Sequence, residues 1–361
     1  MDFYSFLCNI AEKYKSRNAI TGDSGNLTYE ELFSKVKEFA SGLKNLGIKK
    51  EDKVALLFFN QIEFVIAFLG TIISGAIVVP VNPYFMPEEI EFILRHSEVK
   101  CFISSSDFEE HINYVKENID DVSIIISTNY NKLDNRIRNF DSIYKSAEAF
   151  KVNLKEEQPC AILYSSGTQG MIKGVLVTQD YFLSNAISCA LVLSINQNDK
   201  IVTFLPLFHP LSLTVGLLMG LTAGGSILLI KNITPFSKVV RTVILKRATL
   251  FVGIPYVYNL LSVIKAPLFF KFVNPIRLCI SGGAYLPLDV LTNFEKKYKV
   301  PIIEGYGLLE AGPVISLNPP SSEQRKTGSV GRIIPDMEVV IFDDSKKILP
   351  VGEIGEIGVK G

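Results

Sequence analysis

Lys173 sits in a setting suited to holding a polyphosphate. The stretch 164–174, YSSGTQGMIKG, gathers three glycines (Gly167, Gly170, Gly174), four hydroxyl side chains (Tyr164, Ser165, Ser166, Thr168) and that one cation between apolar runs at 161–163 and 175–177. Glycine lets the backbone turn with its N–H groups exposed, hydroxyls add donors, and an ammonium supplies a point charge. The Walker pattern needs Gly-Lys-Ser/Thr, whereas Lys173 precedes Gly174; Gly167-x-x-Gly170 is not the GxGxxG of a dinucleotide fold either. On its own the stretch fits both a nucleotide-phosphate loop and a glycine-rich surface hairpin.

Three further clusters carry chemistry. LPLFHP at 205–210 follows a predicted strand and sets His209 among apolar residues at a strand's C-terminal end, where open α/β sheets bind ligands. A core histidine satisfied by a neighbour is the alternative. Ser281, Gly282, Gly283 and Ala284 follow a second apolar run; backbone free of side chains can lie flat on a planar base, and Gly-Gly after a strand can equally be a plain turn. EGYGLLE at 304–310 follows a third apolar run, at 301–303.

The elements that must position these groups are legible by period. Thr28 and Glu31 form a capping box before Leu32, Val36, Phe39, Leu43 and Leu46, which recur at helical spacing up to Gly47. Val54 to Phe59 reads as a buried strand, with Asn60 and Glu63 capping the next helix, and strands follow at 77–80, 99–103 and 122–126. Pro87, Glu88 and Glu89 open a helix in the way first-turn proline and carboxylates favour. Apolar strands alternating with amphipathic helices predict an α/β fold with a mainly parallel sheet covered on both faces. The alternation resumes after 164–174, and from about Gly328 short strands with turn residues suggest a small β subdomain.

Composition narrows the function classes. A chain of 361 residues is long for a single core, which favours two or more subdomains. Lys+Arg 37 balance Asp+Glu 37, so there is no electrostatic case for nucleic acid or an anionic membrane, and small-molecule chemistry is the default. The five cysteines show no CxxC spacing and four sit in or beside apolar runs, which suggests buried thiols rather than a disulfide framework or zinc site. Phe3, Phe6, Leu7, Ile10 and Tyr14 read as an ordinary first helix, and a cytoplasmic setting fits. Two uncharged stretches, 64–87 and 210–230, approach membrane-spanning length, yet Gly70, Pro80, Pro83, Gly216 and the pair Gly224 and Gly225 break them into helix-then-strand units.

Taken together, the segments resemble the adenylate-forming superfamily: acyl-CoA synthetases, luciferases and peptide-synthetase adenylation domains. The loop at 164–174 is similar to that family's Ser/Thr-Gly-rich loop, with Gln169 and Ile172 as departures, and 306–310 is similar to its Tyr-Gly-x-Thr-Glu, with Leu309 in place of Thr. The segments 328–335 and 350–357 resemble its closing β segment, so ordered matches run from Thr28 to Gly361. The resemblance implies the acetyl-CoA synthetase-like N-terminal domain: two mainly parallel sheets layered with helices, plus a small distorted β-barrel. It would divide about 1–155, 156–327 and 328–361.

It further implies ATP-dependent activation of a carboxylic acid to acyl-AMP, with Mg²⁺, and transfer to CoA or a carrier-protein thiol. Thr168, Lys173 and Glu310 would be catalytic, with Glu310 holding the metal. Ser165, Ser166, Gly167, Thr168, Gln169, Gly170 and Lys173 would hold phosphates, and Gly283, Ala284, Glu304, Gly305, Tyr306, Gly307 and Leu309 the rest of the nucleotide. Phe208, His209, Leu213, Ser281 and Gly282 would line an acyl pocket for a fatty or aryl acid. His209 need not act as a base there, because a carboxylate substrate is already ionised. An aliphatic Leu309 cannot donate a hydrogen bond, and losing such a donor costs about 3 kcal/mol, roughly a hundredfold in rate. A non-catalytic binding module is therefore a second expectation, as is an acyl-AMP ligase or carrier-protein adenylation domain. The family's Tyr/Phe-x-Thr-Gly-Asp segment and C-terminal lysine have no match here, so the chain is expected to be the N-terminal domain of a longer enzyme without its lid domain. A homodimer is compatible with the sequence but not read from it.

Overall fold

In this computed structural model, described over residues 1–129, 136–145, 154–166, 172–264 and 274–361, eighteen strands follow one another with helices between most of them. The first two, β1 (Asn18–Gly22) and β2 (Gly25–Thr28), form a hairpin. Next come β3 (Lys53–Leu57), β4 (Ile77–Pro80), β5 (Val99–Ser104), β6 (Ile124–Ser127), β7 (Ile137–Asn139), β8 (Pro159–Ser166) and β9 (Ile172–Thr178). The chain then runs through β10 (Lys200–Thr203), β11 (Ser226–Leu229), β12 (Leu250–Gly253), β13 (Leu278–Ser281), β14 (Ile302–Leu308), β15 (Gly312–Leu317) and β16 (Arg332–Ile333). It ends in the antiparallel ribbon β17 (Glu338–Phe342) and β18 (Glu356–Lys360).

Two large sheets result. One has the order β7-β6-β5-β3-β4-β8-β9 and is parallel except where β8 meets β9. The other has the order β16-β15-β14-β13-β12-β10-β11-β1-β2, parallel from β14 to β1 and antiparallel at both ends. This is the predicted α/β architecture; among the described residues the expected small barrel is seen only as the ribbon β17–β18. Sheet membership departs from chain order: β1 and β2 belong to the second sheet, and β8 and β9 close the edge of the first.

Burial on both faces explains the continuous apolar runs. Val54 and Leu56 point into a core shared by the two sheets, whereas Ala55 and Leu57 point to the outer core beneath the helices Pro87–His96 and Glu109–Asn118. The same alternation sends Ile201 inward and Val202 outward, under the helices Ser237–Lys246 and Leu288–Tyr298. The first uncharged stretch supplies the helix Ile62–Ser74, 13 residues long and buried on all sides apart from Glu63. A Cβ at Gly70 would come within 2.9 Å of the Phe39 ring, so glycine is what lets this helix press against Tyr29–Asn45. The second stretch forms a π-helix, Ser212–Leu218, a helical turn Met219–Thr222 and β11. No helix among the described residues is long and apolar enough to cross a membrane. Cys101, Cys160, Cys189 and Cys279 are buried free thiols.

The predicted capping box is present: Thr28 N–H donates to the Glu31 carboxylate at 2.8 Å and Glu31 N–H to Thr28 Oγ1 at 3.2 Å. Asn60, expected as a helix cap, does something else. The helix begins after Gln61, and the Asn60 amide reaches into the other sheet, donating to Thr203 O at 3.2 Å and Leu205 O at 3.0 Å and accepting from Leu207 N–H at 3.0 Å. Nearby, Lys231 pairs with Asp107 at 2.7 Å. At the N-terminal end of β10 Asp199 accepts from Arg277 Nε at 2.7 Å and Nη2 at 2.6 Å, from Thr249 Oγ1 at 2.8 Å and from Asn196 N–H at 3.0 Å. Burial alone would raise its pKa, but these donors hold it below the usual carboxylate range.

Asn60→Ala leaves three backbone groups of residues 203–207 without their partner and is expected to lower stability by about 1–3 kcal/mol in urea denaturation. For Asp199 the folded pKa lies below the unfolded value of 3.8, so its contribution is complete above that pH and is lost as pH falls through the folded pKa. Asp199→Asn is therefore expected to be less stable than the parent at pH 7, with the gap closing as pH drops below about 4. Denaturation midpoints measured from pH 7 to 3 check this.

Candidate functional site

A cleft of about 590 Å³ opens where the C-terminal ends of the second sheet's strands face the β8–β9 hairpin of the first. Ser165 and Lys173 are direct cross-strand partners on that hairpin and both line the cleft, with Lys173 exposed. Tyr164 pairs with Gly174, where an added Cβ would lie 3.2 Å from the tyrosine ring. Its hydroxyl bonds His96 Nδ1 at 2.8 Å, so this hydroxyl, counted with the loop donors, is already engaged. Ser166 ends β8, and Gly167, Thr168, Gln169 and Gly170 lie outside the described residues.

The second wall descends from β10. Asn60 holds residues 205–207, and Ser212 Oγ donates to Leu205 O at 2.7 Å, which fixes the approach to Phe208 and His209. Both residues line the cleft. His209 Nδ1 accepts the Leu211 N–H at 3.3 Å, so that nitrogen carries no proton; the residue is exposed at the cleft, and the protein packed around the ring lowers its pKa. The imidazole facing the cleft is neutral. The π-helix Ser212–Leu218 follows. Leu211 and Val215 line the cleft, while Leu213, expected there, is fully buried in the shared core. Leu213 stands two residues from each of them, on the opposite side of the helical turn.

The floor comes from β13 and β14. Ser281, Gly282 and Gly283 line it, Gly283 with φ of 81°, whereas Ala284 is exposed beside it and not on the wall. Ser281 Oγ is buried and has no hydrogen-bond partner among the described residues. Gly305, Tyr306, Gly307, Leu309 and Glu310 all line the cleft. A Cβ at Gly307 would sit 1.9 Å from Pro313 O, so only glycine allows β14 and β15 to close here. Glu304 is turned away: it is 7% exposed, accepts the Gly328 N–H at 3.3 Å, and burial raises its pKa. Leu309 packs against the shared core as well as edging the cleft, which accounts for an aliphatic side chain at this position.

Lys173 and Glu310 thus reach one cleft from two sheets, a cation and a carboxylate. Among the described residues no three His, Cys, Asp or Glu side chains cluster as a ready metal site. A single carboxylate suits Mg²⁺, which keeps most of its waters and usually arrives with substrate phosphates. Asn82 and Phe85, on the loop after β4, also line the wall and went unforeseen. They meet the hairpin only because β4 pairs with β8, and no local signal announces that pairing. A cavity of about 620 Å³ between the helices Ser237–Lys246 and Leu288–Tyr298 is as large, but its walls are nearly all apolar and its Cys279 thiol is held protonated by burial.

Both the sequence and the fold have known relatives. The chain is 29% identical to 4-coumarate–CoA ligase CCL1 of Humulus lupulus over 377 residues, covering 100% of this chain and 68% of that protein. It is 28% identical to a long-chain-fatty-acid–CoA ligase of Salmonella typhimurium over 383 residues, covering 97% and 68%. Against the oxalate–CoA ligase of Arabidopsis thaliana it is 30% identical over 362 residues, covering 98% and 69%. Among solved structures, the anthranilate CoA ligase AuaEII in complex with anthranoyl-AMP superposes with a TM-score of 0.87 at 24% identity, covering 99% of this chain and 68% of that one. The N-terminal domain of FACL13 from Mycobacterium tuberculosis superposes with a TM-score of 0.86 at 25% identity, covering 100% and 89%. The pattern of the AMP-binding enzyme family matches residues 8–361, and the chain belongs to that family.

Proposed function

We propose that the chain binds ATP in this cleft and activates a carboxylic acid as its acyl adenylate, for transfer to the thiol of CoA. The observation that carries the reading is the convergence of Lys173 and Glu310, from separate sheets, on one cleft floored by bare glycine backbone. Lys173, Ser165, Ser166 and the segment Gly167, Thr168, Gln169 and Gly170 would hold the β- and γ-phosphates. Gly283, Gly305 and Tyr306 offer a flat surface for adenine. Glu310 would hold Mg²⁺, whose part is to neutralise charge on the phosphate oxygens.

The substrate carboxylate oxygen would attack the α-phosphorus as the bond to the bridging oxygen breaks and pyrophosphate leaves with that bond's electrons. The acid arrives ionised, so the chemistry asks for alignment and charge neutralisation rather than proton removal. A neutral His209 suits this, since it can donate from Nε2 to a carboxylate without taking a proton from it. Leu309 supplies no donor, which leaves α-phosphate contact to Thr168 and backbone N–H groups. The acyl group would lie against Phe85, Phe208, Leu211 and Val215, an apolar wall that favours a fatty or aryl acid. The named relatives act with CoA on 4-coumarate, long-chain fatty acids and oxalate, which favours CoA over a carrier-protein thiol as acceptor.

Leu309 also supports a second reading, a module that binds nucleotide and acid without joining them. Acyl-AMP detected by mass spectrometry after incubation with MgATP and a panel of fatty and aryl acids would exclude that module. For the site itself, Lys173→Ala and Glu310→Ala are each expected to weaken MgATP or acyl-adenylate-mimic binding about 10- to 100-fold in titration calorimetry, the scale of a charge-assisted contact. Unchanged affinity in both variants would sink the assignment.

A further inference from the structure

Lys173 and Glu310 act on one nucleotide only if the two hairpins that carry them are held in fixed relation, and one side chain sits at the joint. From Lys173, β9 runs without interruption to Thr178, whose hydroxyl accepts the Tyr181 N–H at 3.3 Å and caps the helix Gln179–Val192. In the first turn of that helix the Tyr181 hydroxyl donates to the Leu309 carbonyl and accepts the Gly312 N–H at 2.8 Å. Leu309 and Gly312 are the first and fourth residues of the turn bearing Glu310. The hydroxyl therefore bridges the carbonyl and the amide at the two ends of that turn, donating to one and accepting from the other.

One helical turn further on, Asn185 grips the next strand. Its Nδ2 donates to Val314 O at 2.7 Å and its Oδ1 accepts Val314 N–H at 3.2 Å, the pairing a neighbouring β-strand would make. Gly312, with φ of 115°, leaves just enough room, since an added Cβ would be 3.2 Å from Asn185 Nδ2. Burial raises the Tyr181 pKa, so the hydroxyl keeps its proton and its donor role throughout the working pH range.

We propose that Tyr181 is a positioning residue that locks the Glu310 turn to the Lys173 hairpin, setting the carboxylate where a nucleotide-bound Mg²⁺ can reach it. This rests on the function proposed above. Tyr181→Phe removes only the hydroxyl and keeps the ring against Phe182. ATP affinity is measured by titration calorimetry with and without Mg²⁺ for the parent, Tyr181→Phe, Glu310→Gln and the double variant. Tyr181→Phe is expected to cut the Mg²⁺-dependent gain in affinity about tenfold and to leave Mg²⁺-free affinity within about twofold. It should cost nothing further in the Glu310→Gln background, because residues acting through one contact are not additive. A full Mg²⁺-dependent gain in Tyr181→Phe, when Glu310→Gln has lost it, overturns the proposal. So does an equal loss with and without Mg²⁺, the mark of general loosening, or additive losses in the double variant. If Glu310→Gln itself leaves the gain intact, the reading of Glu310 fails and the role of Tyr181 goes with it.

Discussion

The docking of the two sheets at the C-terminal ends of β3 and β10, through the Asn60 amide, is the constraint on which the cleft depends. Asn60 follows β3 in the first sheet, yet its three hydrogen bonds all go to backbone groups at and just beyond the end of β10 in the second. A buried amide that satisfies three peptide groups fixes position as well as separation, because moving it by an ångström leaves donors and acceptors unpaired in a dry interior. The segment it holds is the one that leads to Phe208 and His209. The Lys231 and Asp107 pair reinforces the same seam at a half-exposed site, where an ion pair contributes less. Beneath both links lies the shared apolar core, which supplies adhesion without direction; the polar contacts determine how the sheets meet.

Much of this was legible in the sequence where structure is local. The runs at 54–59, 77–80 and 99–103 read as strands buried on both faces, because apart from Lys100 they are apolar throughout and they are too short for helices. The Thr28 and Glu31 box and the glycine-broken uncharged stretches were read for the same reason: each signal is complete within a few residues. Sheet membership was not legible. Nothing near Asn18 says that β1 will lie beside β11, and nothing near Pro159 says that β8 and β9 will close the first sheet rather than begin the second. Asn60 looked like a cap because a side-chain amide ahead of a helix usually is one; its true partners lie more than 140 residues away.

The site shows the same division. Ser165, Lys173, His209, Ser281, Gly282, Gly283, Gly305, Tyr306, Gly307 and Glu310 sit at the ends of strands, where position in the motif determines which way the chain faces, and the cleft gathers them. Leu213 lies two residues from both Leu211 and Val215, so once those two face the cleft a helical turn puts Leu213 on the other side, in the core. Glu304 shares a face of β14 with Tyr306 by alternation, which is why the sequence points it at the cleft, but its buried carboxylate takes the Gly328 N–H instead. Tyr181 carried no motif at all, since its importance lies in two backbone groups more than a hundred residues downstream.

The crossing of the N-terminal hairpin into the second sheet has a bearing on how the molecule is made. Ile20 lies beside Ile227, so roughly two hundred residues must leave the ribosome before β1 has a neighbour on that side, a delay on the order of ten seconds or more at ordinary rates of translation. Until then an apolar hairpin edge stands unpaired. The two sheets cannot ripen one after the other as separate modules, and the nascent chain must be shielded across that interval by its own first helices or by a chaperone.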